Sequence, residues 1–339
     1  MAAVAPQQWL LKIWIFKIHQ MLKKTFITVI LLAISAWVFC QQPQHTSQPQ
    51  DTSKSHKTKQ PQNANQPQYE SANSQFKVYE DSLKKLGKQI VNGKDETDRK
   101  SATYKFIPLL VRALKLPGSF DYPFDSVKTI RITLAPDHKF RIFNWFVNIN
   151  DVAYRFYGAV QVNSPRKLEL YPLIDYTENI SKPEDTVTSS KKWYGAEYYA
   201  ILPPDKKGIY LLLGWKGINE NLTSRLIDAL QFENGKLVFG APVFSVSGQI
   251  KNRIIFKYTH QASMMLKYLP KKNLIVFDHL APPDPKMKGK FESYGPDLSY
   301  DALHYTNGEW TLEENINLAN EESSKDTNFI TPDKAPVIK

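Results

Sequence analysis

Cysteine is almost missing from this chain. Its 339 residues hold one, Cys40, which excludes a disulfide framework. Several motifs are missing as well. There is no G-x-S-x-G, which removes the usual support for serine hydrolysis, and no P-loop or G-x-G-x-x-G for phosphates or dinucleotides. H-E-x-x-H, the compact zinc spacing, is absent too. No apolar run reaches the ~20 residues of a comfortable membrane span. Acid is lacking in residues 1–40, where Lys12, Lys17, Lys23 and Lys24 contribute to a net charge of +11. The other basic residues are scattered among acids, with no Arg-rich helix or basic–aromatic repeat, so a nucleic-acid partner is not expected.

What is present begins with an export signal. Lys23 and Lys24 precede a nearly unbroken apolar stretch, 26–39, and Val38-Phe39-Cys40 gives a cleavage-like end before Gln41. Met21 then reads as the start of the signal, and residues 1–20 as an upstream extension. Lipid attachment at Cys40 is the alternative to simple cleavage, although bulky Phe39 suits a lipobox poorly. Any membrane association is expected only through this segment or that lipid. The expected location is the periplasm or the cell envelope.

Residues 41–75 are rich in Gln, Pro, Ser, Thr and Lys and read as a disordered linker, because they have too little apolar surface to offset chain ordering. A helical pair is expected over 76–118. Tyr79, Leu83, Leu86 and Ile90 fall on one helical face, and Asp95 can cap a second helix that Pro108 should kink and Pro117-Gly118 end. A β domain is expected over 119–318, followed by a loose tail, 319–339.

The β domain centres on 193–215, WYGAEYYAILPPDKKGIYLLLGW, two aromatic and β-favouring runs around a Pro/Asp/Gly break. Further strands are expected at 129–134, 140–147, 152–162, 168–174, 225–232, 236–244, 253–258, 263–269, 274–280, 298–305 and 309–313. Asn234-Gly235 and Asn307-Gly308 are hairpin turn pairs, since both positions tolerate positive φ. The fold class is mainly β, with antiparallel hairpins forming a propeller-like or a sandwich or barrel domain behind a short helical pair.

The runs FRIFNW, WYGAEYY, LLLGW, IVFDHL and YGPDLSYDALH resemble a group of bacterial exported, β-rich proteins to which no activity is assigned. The resemblance spans the helical lead-in and the β domain. It implies export and a β-rich fold, and it transfers no catalytic residue.

Two sets of residues carry what chemistry the sequence offers. Asp278, His279, Asp297, Asp301 and His304 are carboxylates and imidazoles at strand ends, able to serve as general acid and base or to meet at a metal. Asp301 and His304 are three apart and point to opposite sides of a strand. Turn caps and ordinary hydrogen bonds are the competing reading. Trp145, Trp193 and Trp215, with Trp310, could line a sugar- or peptide-binding face, against a competing reading as core. The function expected from all this is a non-enzymatic exported binding or scaffold module, with an envelope protein or glycan as partner. An envelope hydrolase built on the Asp/His set, with or without a metal, is the alternative.

Overall fold

The computed structural model of the chain describes residues 66–150 and 153–318. The signal segment, the start of the linker and the tail from residue 319 lie outside the described residues.

Helix α1 (Gln66–Asn92) starts ten residues before the expected position, inside the stretch read as linker. Pro67 does not oppose this, because a first-turn N–H has no helical acceptor to lose. Helix α2 (Glu96–Leu114) is capped by Asp95, whose carboxylate accepts the Asp98 N–H at 2.9 Å. It contains Pro108, as expected, and ends just before Pro117-Gly118. Phe76, Leu83 and Ile90 of α1 and Phe106 and Leu110 of α2 bury one shared apolar face.

That face covers a four-stranded antiparallel sheet made of β1 (Arg131–Leu134), β2 (Phe140–Ile149), β3 (Ala153–Val162) and β4 (Glu169–Ile174), in that order. Alternation on β2 explains the layering. Phe143, Trp145 and Val147 meet the helices, while Phe140 and Ile142 meet the next sheet.

The next sheet contains β5 (Thr188–Ser189), β6 (Glu197–Ile201), β7 (Tyr210–Gly217), β8 (Leu222–Glu233) and β9 (Lys236–Phe239), ordered β5-β9-β8-β7-β6. The long β8 also pairs with β12 (Ile254–Thr259) through residues 222–227, leaving 230–233 to β9. This sheet is buried on both faces. Tyr210 and Leu212 face the first sheet, and Leu211 and Leu213 the third. A continuous apolar run such as YLLL is what a doubly covered strand requires.

The third sheet has the order β11-β10-β16-β15-β14-β13. Its strands are β10 (Phe244–Val246), β11 (Gln249–Lys251), β13 (Leu266–Leu269), β14 (Leu274–Ala281), β15 (Gly295–Thr306) and β16 (Glu309–Glu313). Its pairings are antiparallel except β10 with β16. The layers are therefore helices and three stacked sheets, sandwich-like and with no closed barrel. The propeller-like arrangement does not occur, because the sheets cover one another face to face instead of radiating from a centre.

Both Asn-Gly pairs take positive φ, at 49° and 71° for Asn234-Gly235 and 53° and 90° for Asn307-Gly308. They close β8–β9 and β15–β16 as two-residue turns. The expected single strand 236–244 is instead two, in different sheets. Gly240, at φ 87° and with its Cβ position 3.0 Å from the Thr186 carbonyl, turns the chain between them.

Two polar groups of side chains are sealed into the interior. Asp228 and Arg253 have no exposed side-chain surface and form an ion contact at 2.9 Å. The Tyr198 hydroxyl donates to Asp228 at 2.9 Å and accepts from the Trp193 indole at 3.0 Å, while Arg253 donates to the Pro183 carbonyl at 2.5 Å. Burial, with Asp228 beside it, raises the Tyr198 pKa well above its ordinary value. Nearby, Lys216 donates to the Gly195 carbonyl at 2.6 Å and to Thr177 Oγ1 at 3.0 Å, beneath the rings of Phe156 and Tyr194.

Asp175 anchors the strand next to Lys216 by accepting the N–H of Phe156 at 3.0 Å and that of Thr177 at 3.1 Å. Gly195 passes so close that an added Cβ would lie 2.6 Å from the Asp175 carboxyl carbon. Gly195→Ala is expected to lower unfolding free energy by roughly 1–3 kcal/mol through this overpacking. Urea unfolding checks it, and a change under ~0.5 kcal/mol would contradict the clamp.

Candidate functional site

The site lies where β14 and β15 lose register. Asp278 pairs with Tyr300, but the next pair is Leu280 with Pro296. His279 therefore faces three residues of the other strand, Asp297, Leu298 and Ser299, where a regular ladder would place one. Bulges of this kind re-aim side chains and recur beside functional sites.

The bulge is held by Asp297, whose carboxylate accepts the Ser299 N–H at 3.0 Å and its hydroxyl at 2.7 Å. Between them Leu298 sits at φ 74° with 90 % of its surface exposed. A branched apolar residue in the left-handed region is a true outlier, and such outliers gather at sites of function.

His279 is oriented from behind. Its Nδ1 lies 2.8 Å from Oδ2 of the nearly buried Asp301, whose Oδ1 accepts the Asn315 N–H at 2.9 Å. Its Nε2 turns toward Asp297, 4.0 Å away, and toward solvent. The hydrogen bond that His279 donates to Asp301 raises its pKa most; partial burial opposes it, and the charges of Asp301, Asp297 and Glu314 add to it. The bond from Ser299 is the main cause that lowers the Asp297 pKa. The arrangement can take up or release a proton at Nε2. When protonated, it presents a donor beside an exposed apolar side chain.

Of the five expected residues, the fold brings His279, Asp297 and Asp301 together. Asp278 is diverted to accept the Met265 N–H at 2.7 Å, and His304 pairs with Glu313 on β16. Strand alternation separates them from the other three. Among the described residues no group of three or more His, Cys, Asp or Glu is placed to hold a metal ion.

The three tryptophans do not form a binding face. Trp145 is buried below the helices with its ring centroid 5.2 Å from Phe106. Trp193 is enclosed between the first two sheets, bonded to Tyr198. Trp215 packs on Phe146 and Tyr154 at the edge of that core. Their reading as a stacking surface is corrected to core packing, because a layered β fold without disulfides fills its intersheet space with large rings.

A raised histidine pKa fixes the sign of one pH effect. The folded value lies above the ordinary ~6.5. The stabilisation is therefore complete below that pH and is lost as pH rises through the folded value. His279 is more than a third exposed, so the effect should stay below the ~1 kcal/mol typical of exposed pairs. Amide exchange at Asn315 should quicken on going from acid to alkaline pH, beyond the intrinsic trend, and His279→Asn should remove the excess. An excess that persists in the variant would place the titration elsewhere.

No protein-family model, curated protein or solved structure matches this chain. Among the described residues no helix is long and apolar enough to cross a membrane.

Proposed function

We propose that the protein is an exported binding module of the cell envelope or periplasm, without catalysis of its own, that docks an envelope protein at the β14–β15 bulge. The observation that carries this reading is Leu298, held out at 90 % exposure and φ 74° beside a carboxylate-flanked imidazole. A bulge that re-aims side chains and holds a bulky residue at positive φ is a feature that gathers beside functional sites. A structure that maintains backbone strain to project such a residue is better explained by a partner than by stability. The lysine-led apolar stretch before Gln41 supports export.

A photo-crosslinking residue placed at Leu298 should trap one defined adduct in the envelope fraction, and one placed at exposed Tyr104 on the helical side should not. The trapped chain should begin at Gln41 by mass spectrometry. Equal labelling at both positions, or a cytosolic chain that keeps Lys23 and Lys24, contradicts the proposal.

The Asp301-held His279 favours a second reading, hydrolysis with Nε2 as general base toward water. Turnover of ester, amide or glycoside model substrates that disappears in His279→Gln would favour it over docking.

A further inference from the structure

A recess of about 160 Å³ opens between the β6–β7 connection and the β13–β14 turn, at the opposite end of β14 from the bulge. It has room for about five waters at ~30 Å³ each, a space suited to one small ring. Its apolar lining is buried, formed by Leu202, Ile209, Leu211, Val243 and Trp310, and the half-buried rings of Tyr268 and Tyr305 complete it.

Two polar groups in the lining are fixed in place. Asp205 accepts the N–H groups of Lys207 and Ile209 through Oδ1, both at 2.9 Å, and receives only the Tyr305 hydroxyl, at 3.3 Å, on Oδ2. A carboxylate has about four accepting positions, so Oδ2 retains capacity for a ligand hydroxyl. Asn273, at φ 50°, accepts the Tyr268 hydroxyl at 2.9 Å through Oδ1, which leaves its NH₂ group to donate. The phenol bonds hold both tyrosine rings on fixed bearings.

We infer that this recess binds a neutral hexose ring. Aromatic rings accept the C–H face of a sugar, while a fixed acceptor and a fixed donor meet its hydroxyls. Asp205 disfavours an anion, and a wholly apolar ligand would strip water from it without return. A quaternary ammonium could also sit among rings beside a carboxylate, but it would leave the Asn273 amide unused. The site is separate from the proposed docking bulge and does not depend on it.

The full chain is titrated with methyl glycosides of glucose, galactose and mannose, and in parallel with choline, while the Trp310 indole N–H resonance is followed. At least one glycoside should shift it with millimolar affinity. Tyr268→Ala and Asn273→Gly should each weaken binding by about tenfold, the loss of one stacking or hydrogen-bonding contact. Glycine keeps the positive φ of position 273, so that variant should melt with the parent. Tyr268→Phe, which keeps the ring, should bind nearly as the parent does. No shift with any glycoside overturns the inference, as does a shift with choline alone or one that both weakening variants leave unchanged.

Discussion

Replacing Arg253 with methionine is expected to destabilise the protein by about 3–5 kcal/mol, the cost of leaving a buried charge without its counterion. Asp228 would remain wholly enclosed, with the Tyr198 hydroxyl at 2.9 Å and the Ala229 N–H at 2.9 Å as its remaining partners. The Pro183 carbonyl would lose its donor as well, loosening the loop before β5. Neutralising both partners tests the charge separately from the packing. Arg253→Met with Asp228→Asn should recover at least half of the loss, since the amide can still accept from Tyr198 and carries no charge to bury. Urea unfolding of the two single variants and the double gives the coupling. A double variant no more stable than Arg253→Met would show that the lost contacts of the guanidinium, and not the stranded carboxylate, set the cost.

Stability should also rise with pH on the alkaline side, the reverse of what the histidine predicts. Burial lowers the Lys216 pKa from its ordinary 10.5 to about 8, against the pull of Asp175. Between those values the folded chain binds fewer protons at this site than the unfolded chain, so unfolding free energy increases with pH. The full shift corresponds to about 3 kcal/mol, and most of it, roughly 2–3 kcal/mol, should be gained between pH 8 and 10. Above ~10 the buried tyrosines reverse the trend. Tyr157 and Tyr199, for example, are pushed up to about 12 by burial and ionise in the unfolded chain first. Lys216→Met should flatten the rise. Unfolding curves that are level from pH 8 to 10 in the parent would mean that the ammonium is better compensated by the Gly195 carbonyl and the two rings than its burial implies.

The mainly β class and the helical lead-in could be read from residues, because they follow from local periodicity, whereas propeller, sandwich and barrel layering fit the same pattern. The two β-favouring runs of 193–215 marked a hairpin, and Asn234-Gly235 and Asn307-Gly308 fixed two turns through the φ values that they accept. What could not be read depended on register and distance. Gly240 and Pro242 are a local break inside the expected strand 236–244, but nothing local says that the two halves join different sheets. The pairing of Asp228 with Arg253 joins positions far apart in sequence and has no motif. At the candidate site, the Asp/His cluster was visible as composition, but which three members converge was decided by the slip between β14 and β15. The tryptophans misled for a simple reason. Their size suits a ligand platform and an intersheet core equally, and only burial separates the two.

The parallel pairing of β10 with β16 sets an order of events. The short ribbon β10–β11, complete by residue 251, borders the third sheet only through Phe244 and Ser245 against Trp310 and Thr311 of β16. A chain leaving the ribosome must extend past residue 313 before that neighbour exists, so the outermost layer is the last to close. Until then the strands of β13–β15 have no edge mate on the β16 side. The strands of the first two sheets end by Thr259 and pair without β16, so only the third sheet waits for the C-terminal hairpin.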